Sequence, residues 1–203
     1  MSGPPEERAR GGLIGPGRLV LVVGPSGAGK DKVLALARAA TRGDDTLVFP
    51  RRLITRAADD SEDHQPLSDA AFERGIAAGA FALWWDAHGN RYAIPVAADD
   101  AIRAGHTVIC NVSRTVVPAA RRRYASVVAV LVTAPADVLK QRLAARGRAS
   151  DGDLAQRLAR SDQADCRIEP DVVIVNVGAP EIAARELVHV VAPGREGGLR
   201  SCS

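Results

Sequence analysis

The sequence predicts an α/β fold built on a doubly wound parallel sheet, and three observations predict it. A wholly apolar run, residues 19–23, is followed at once by a glycine-rich turn and then by apolar residues at helical spacing. Further β-branched runs at 107–112, 126–133 and 171–176 alternate with helical patterns, as strands joined by right-handed crossover helices require. The 203 residues, 46% of them apolar, with a mean hydropathy near zero, can bury a substantial core and contain no apolar run of membrane-spanning length.

The elements follow in order. Residues 18–23 read Arg-Leu-Val-Leu-Val-Val, a continuous run of the kind covered on both faces of a parallel sheet. After Lys30, the positions Val33, Leu34, Ala37 and Ala40 mark one face of a helix. Residues 46–49 form a short second strand, and a long polar stretch over 51–65 reads as irregular, a feature that is often functional inside a compact domain. Ser68 caps a helix running through Phe72 and Ile76 to Gly79, after which 81–85 and 91–94 form a small antiparallel pair. Together, residues 50–95 make an inserted lobe. Pro95 opens a helix that Gly105 ends, and the strands at 107–112 and 126–133 resume the core sheet. Residues 135–165 are helical, with leucines at 139, 143, 154 and 158 and a break between two helices at Arg146-Gly147-Arg148. Residues 171–176 are the last strand and 180–191 the last helix. Residues 1–16 are expected to be a disordered leader, lacking the apolar segment of a secretory signal, and 194–203 a flexible tail, which leaves 17–193 as the domain.

Chemistry enters with Gly24-Pro25-Ser26-Gly27-Ala28-Gly29-Lys30-Asp31. A glycine turn between a buried strand and a helix N-terminus cradles phosphates with backbone N–H groups, and its lysine reaches the terminal phosphates. The fold is therefore of the P-loop NTPase type, and Gly24 to Asp31 are candidate nucleotide-binding residues. The usual hydroxyl residue after the lysine, a Mg²⁺ ligand, is here Asp31. Mg²⁺ takes one or two carboxylates together with waters and phosphates, so Asp31 is the candidate metal ligand; the other reading is an acidic residue that caps the helix.

Other function classes are disfavoured. The formal charge is only +3 and its basic residues are spread out, without aromatic interleaving, so anionic small molecules are expected as partners rather than nucleic acid. No membrane partner is expected. Cys110, Cys166 and Cys202 lack metal-ligand spacing and point to a reducing cytoplasm.

The order of strand, phosphate loop, helix, Thr55-Arg56, a lobe ending His88-Gly89-Asn90-Arg91-Tyr92 and an arginine-rich helical segment resembles the guanylate kinase family over residues 17–192. Within it, Arg52-Leu53-Ile54-Thr55-Arg56, Glu62-Asp63-His64, Gly79 to Trp85, Ala87-His88-Gly89 through Ile94-Pro95, and Lys30-Asp31 itself are similar to the ribose 1,5-bisphosphate phosphokinase branch. The resemblance implies a core, an acceptor lobe at about 50–95 and a closing lid at about 140–165. It also implies ATP and Mg²⁺ as cofactors, a small phosphorylated sugar as partner, and formation of 5-phosphoribosyl 1-diphosphate in phosphonate catabolism. A homodimer is compatible with it.

Departures from guanylate kinases carry a physical argument. Where those enzymes place a base-reading glutamate and a hydroxyl residue, this chain has Leu83 and Ile94, and a strand that ends Asp-Ile-Asp in them ends Asn111-Val112-Ser113 here. A site that reads a purine edge needs paired polar groups, which these residues do not supply. Arg56 and Tyr92 occupy the positions that grip an acceptor phosphate in the family. The second arginine of that grip is replaced by Asp59, and Arg51 or Arg52 could restore its charge. Arg52, Arg56, Glu62, His64, His88 and Tyr92 are thus the candidate substrate-binding residues, the histidines toward ribose hydroxyls or phosphate.

Among the lid arginines 142, 146, 148 and 157, Arg146 and Arg157 join Lys30 as candidate catalytic groups. Asn176 resembles the family's adenine-side loop, with a plain turn residue as the other reading. At least one of Trp84 and Trp85 is expected in ordinary packing, since neighbours on a strand face opposite ways. An acceptor that is already a phosphate needs no general base, because its oxygens are ionised at neutral pH. A nucleoside monophosphate kinase and a catalytically silent binding module are the competing readings.

Overall fold

The computed structural model describes residues 12–57, 64–87, 89–146 and 169–192. Arg18–Val23 form β1, and from Leu19 onward every side chain is buried, as the unbroken apolar run requires. The remaining strands are β2 (Leu47–Val48), β3 (Arg52–Ile54), β4 (His64–Pro66), β5 (Phe81–Ala87), β6 (Asn90–Pro95), β7 (Thr107–Asn111), β8 (Val127–Thr133) and β9 (Val172–Val175). The helices are α1 (Lys30–Ala40), α2 (Asp69–Ala77), α3 (Ala97–Arg103), α4 (Val117–Arg123), α5 (Ala136–Arg146) and α6 (Pro180–Val191). A five-stranded sheet has the order β2-β7-β1-β8-β9 and a four-stranded sheet the order β4-β3-β6-β5. The described residues fall into two compact units. One comprises those up to Leu21 and from Asp45 to Val128, the other those from Val22 to Asp44 and from Ala129 onward.

In the first unit, β2 and β7 pair in parallel through Leu47 with Thr107 and Val48 with Val108. The inserted lobe is the four-stranded sheet, its antiparallel β5–β6 ladder set by Leu83 opposite Ile94, Trp84 opposite Ala93 and Trp85 opposite Tyr92. Helix α2 starts where the sequence places it, with Ser68 Oγ accepting from the Ala71 N–H at 3.2 Å, a cap that offsets one orphan helix donor. Phe72 of α2 packs with Phe81 and Ala93, flanked by Leu53, Leu67, Ile76 and Trp84. Burying a Phe of this kind contributes about 1.5–3 kcal/mol.

Four expectations change. The stretch over 51–65 is not wholly irregular: β3 and β4 pair in parallel, Arg52 opposite His64 and Leu53 opposite Gln65, a case of polar strands specified by tertiary pairing rather than propensity. Helix α4 escaped the sequence reading although Pro118 stands at its start and Arg121 to Arg123 at its end, where proline and cations respectively fit a helix. Pro95 ends β6, and α3 begins at Ala97. Ile14, placed in the leader, bridges to Tyr124, its N–H donating to the Arg123 carbonyl at 2.9 Å.

The second unit holds the phosphate loop. Strands β8 and β9 pair in parallel from Val130–Val172 to Thr133–Val175, and α1 packs against α6. Helix α6 buries Ala183, Ala184, Leu187, Val188 and Val191, the stripe expected of an amphipathic surface helix. Of the expected lid, α5 supplies its beginning; residues 147–168 lie outside the described residues.

Candidate active site

The phosphate loop is shaped by close backbone approach. Gly24 adopts φ +148°, and a Cβ there would overlap the carbonyl oxygen of Val132, so only glycine lets the turn lie this close to β8. Gly29, at φ +81°, caps α1 in the left-handed region. From Lys30 the chain is helical, and the first N–H groups of α1 lack intrahelical partners, which makes them anion donors. Lys30 Nζ donates to the Gly24 and Pro25 carbonyls, each at 2.9 Å, so its ammonium is held over the loop. Asp31 stands in the first turn of α1 and is half-buried. Asn176, just beyond β9 and only 3% exposed, sends its Nδ2 to the Ala28 carbonyl at 2.8 Å. Arg142, read from the sequence as one of four lid arginines, donates from Nη1 to the Asn176 carbonyl at 3.0 Å.

In the first unit the structure brings three of the expected acceptor residues onto one sheet, with a fourth, Arg56, just past the end of β3. Arg52 and His64 are register partners on β3 and β4, and Tyr92 on β6 lies opposite Ile54. Arg56 follows two residues later and is tied in through its neighbour: the Thr55 N–H donates to the Arg91 carbonyl at 3.0 Å, and Thr55 Oγ1 accepts from the Arg91 N–H at 2.9 Å. Tyr92 stacks on Trp85 with ring centroids 5.4 Å apart and planes 8° apart. Trp84 points the other way and meets Phe72 edge-on, so it is the tryptophan in ordinary packing. His64, expected in a polar loop, is instead a strand residue and buried. Its carbonyl accepts from Arg51 Nη2 at 3.1 Å, so Arg51 braces β4.

Arg91 was missed by sequence reasoning. Its guanidinium lies 4.4 Å above the Phe72 ring and reaches Glu73 at 2.5 Å and Asp86 at 3.6 Å, fastening α2 to the hairpin that carries Tyr92. An arginine on an alternating strand gives no local signal of such a role.

Leu83 and Ile94 face each other across the hairpin and are each 1% exposed, so both are closed into packing. Asn111 ends β7 and is buried. Ser113 caps the 3-10 turn at Arg114–Val116, its Oγ accepting from the Thr115 N–H at 3.3 Å. Beside Asn111, burial pushes the Cys110 thiol up to about 12, with Arg52 pulling the other way. That thiol is inert at neutral pH. Glu62, His88 and Arg157 lie outside the described residues, and Arg146 is the last residue of α5.

Comparison with known proteins decides the family. The chain is 56% identical over 180 residues to the ribose 1,5-bisphosphate phosphokinase PhnN of Bradyrhizobium diazoefficiens, covering 89% of this chain and 90% of that protein. The chain belongs to the ribose 1,5-bisphosphate phosphokinase family. The protein of the same name from Methylobacterium radiotolerans is 54% identical over 85% of this chain and 96% of its own length, and that from Pseudofrankia inefficax is 44% identical over 88% and 92%. No protein-family model matches the chain. Among solved structures, guanylate kinase from Anaplasma phagocytophilum superposes with a TM-score of 0.61 at 20% identity, covering 89% of this chain and 87% of that one. The fold is thus guanylate-kinase-like. Among the described residues, no helix is long and apolar enough to cross a membrane.

Proposed function

We propose that this chain transfers the γ-phosphoryl group of ATP to the 1-phosphate of ribose 1,5-bisphosphate. A 1-phosphate oxygen bonds to the γ-phosphorus, the bond from that phosphorus to the β,γ-bridging oxygen breaks with its electron pair going to the leaving group, and ADP departs. The product is 5-phosphoribosyl 1-diphosphate, made in phosphonate catabolism. The observation that carries the reading is the identity of 56% over 89% of the chain to a protein of that name. The buried Leu83–Ile94 pair adds support, because neither side chain can hydrogen-bond a guanine edge.

The residues suit the chemistry. Phosphoryl transfer depends on alignment and charge neutralisation more than on covalent help. The loop from Gly24 to Gly29 binds the nucleotide phosphates, and Lys30 exchanges its two carbonyl contacts for phosphate oxygens. Arg52, Arg56 and Tyr92 hold the acceptor phosphates, with Glu62, His64 and His88 completing the acceptor site. Arg146 and Arg157 neutralise charge on the transferred group.

Mg²⁺ fits the donor set. No group of three or more metal-ligating side chains is present among the described residues, and a cation held by one protein carboxylate, waters and nucleotide phosphates needs none. Asp31 would be that carboxylate; when bound, the ion offsets phosphate charge. A cytoplasmic location accords with the buried free thiol of Cys110. The test is ADP release from ATP and Mg²⁺ with ribose 1,5-bisphosphate, ribose 5-phosphate or GMP as acceptor: turnover is expected with the bisphosphate alone, and GMP turnover alone would replace this reading with a nucleoside monophosphate kinase.

A further inference from the structure

We propose that Asn176 is a positioning residue that sets the direction of a phosphate-loop peptide and couples the loop to α5, rather than a residue that contacts the adenine. The inference rests on the nucleotide-dependent reading above.

Asn176 is held at three points. Its main-chain N–H donates to the Thr133 carbonyl at 2.7 Å, its carbonyl accepts from Arg142 Nη1 at 3.0 Å, and its Nδ2 donates to the Ala28 carbonyl at 2.8 Å. The side chain is buried, and its Oδ1 has no hydrogen-bond partner among the described residues. The amide is therefore oriented by one bond, from nitrogen to Ala28. A carbonyl can only accept, so the Nδ2 assignment follows from the partner.

That bond controls a catalytically relevant group. In a planar trans peptide, C=O and N–H point in opposite directions. Fixing the Ala28 carbonyl on Asn176 turns the Gly29 N–H directly away from Asn176 and adds it, in a set direction, to the donors at the start of α1. Gly29 is also required by this contact: a Cβ there would sit 2.6 Å from Asn176 Nδ2, too close for any side chain. Helix α5 meets the same turn through Leu143, whose Cγ lies 3.1 Å from where a Cβ on Gly27 would be, and reaches Asn176 through Arg142. The loop, the end of β9 and the first turns of the lid segment are thereby one hydrogen-bonded unit.

The experiment compares Asn176→Leu, nearly isosteric and uncharged but without the donor, with Arg142→Met, which leaves Asn176 in place and removes its brace. Equilibrium dissociation constants are measured for ATP, GTP and inorganic tripolyphosphate, alongside the KM of the acceptor. Asn176→Leu should weaken all three ligands by a similar factor, about tenfold for loss of one oriented hydrogen bond, with the acceptor KM unchanged. Arg142→Met should weaken them in the same proportion but by less. Loss for ATP alone would make Asn176 a base-contacting residue and overturn the proposal, as would unchanged affinities in both variants. If Asn176→Leu does not fold, Arg142→Met decides by the same criterion. Failure of the unsubstituted chain to bind ATP at all would bring down the kinase reading and this inference with it.

Discussion

Trp85 and Tyr92 lie face to face across the β5–β6 hairpin, their ring planes within 8° of parallel. The pairing lays the Trp85 indole under the Tyr92 phenol, which holds that side chain against one face of the hairpin. Such pairs contribute about 0.5–1.5 kcal/mol beyond their buried area. The orientation of a candidate phosphate ligand is thus a product of strand register.

Tyr92→Phe keeps the stack and removes only the hydroxyl. Loss of a hydrogen bond to a charged group costs about 1.5–3 kcal/mol, so kcat/KM for the bisphosphate should fall roughly 10- to 150-fold while ATP affinity holds. Steady-state kinetics with both substrates varied checks both halves.

Asp31→Asn removes the carboxylate and keeps the shape. The Mg²⁺ concentration needed for half-maximal rate should rise at least severalfold, with the affinity for metal-free ATP equal or improved because a negative charge beside the phosphates is gone. An unchanged Mg²⁺ titration would return Asp31 to a helix-terminus role.

Asp99 is fully buried. It accepts from the Tyr124 hydroxyl at 2.6 Å and pairs with Arg123, joining α3 to α4. The Arg123 guanidinium is held above its ordinary range: burial opposes its charge, while the Tyr124 hydrogen bond and the Asp99 charge outweigh that. Asp99→Ala would leave a buried cation without its carboxylate. A loss of about 3–5 kcal/mol of stability is expected, measured by denaturant titration.

The alkaline limb of stability carries a sign. Burial raises the Cys110 thiol to about 12, and burial followed by the Asp99 charge raises the Tyr124 phenol. Both groups are acids whose folded pKa exceeds the unfolded one, near 8.5 for the thiol. Their stabilisation is complete below the unfolded pKa and is lost as pH climbs through the folded one, at up to about 1.4 kcal/mol per pH unit for each group. Unfolding free energy should therefore decline from about pH 9 toward pH 12, and the decline should be shallower in Cys110→Val.

What could be read from the sequence divides along a physical line. The phosphate loop was legible because Gly24, Gly29 and Lys30 act through local backbone geometry, and helix α2 because Ser68 caps it within three residues. Pairings distant along the chain were not. Asn176 could be placed after a strand, but its partner Ala28 is 148 residues away, and nothing local distinguishes an asparagine that ends a turn from one that anchors a loop. His64 looked like a loop residue because its neighbours are polar, whereas parallel pairing with Arg52 makes it a buried strand position. Arg142 reads from the sequence only as one of four lid arginines and Arg91 as none of the candidate residues, yet each fastens one element to another.

The most direct test of the central claim follows the phosphorus atom. With ATP labelled at the γ-phosphate, Mg²⁺ and ribose 1,5-bisphosphate, the account predicts that the label appears in the outer phosphate of a newly formed 1-diphosphate, seen by phosphorus NMR as a coupled pair, with one ADP released per diphosphate made. Label found in inorganic phosphate alone, or in GDP when GMP competes, would contradict it.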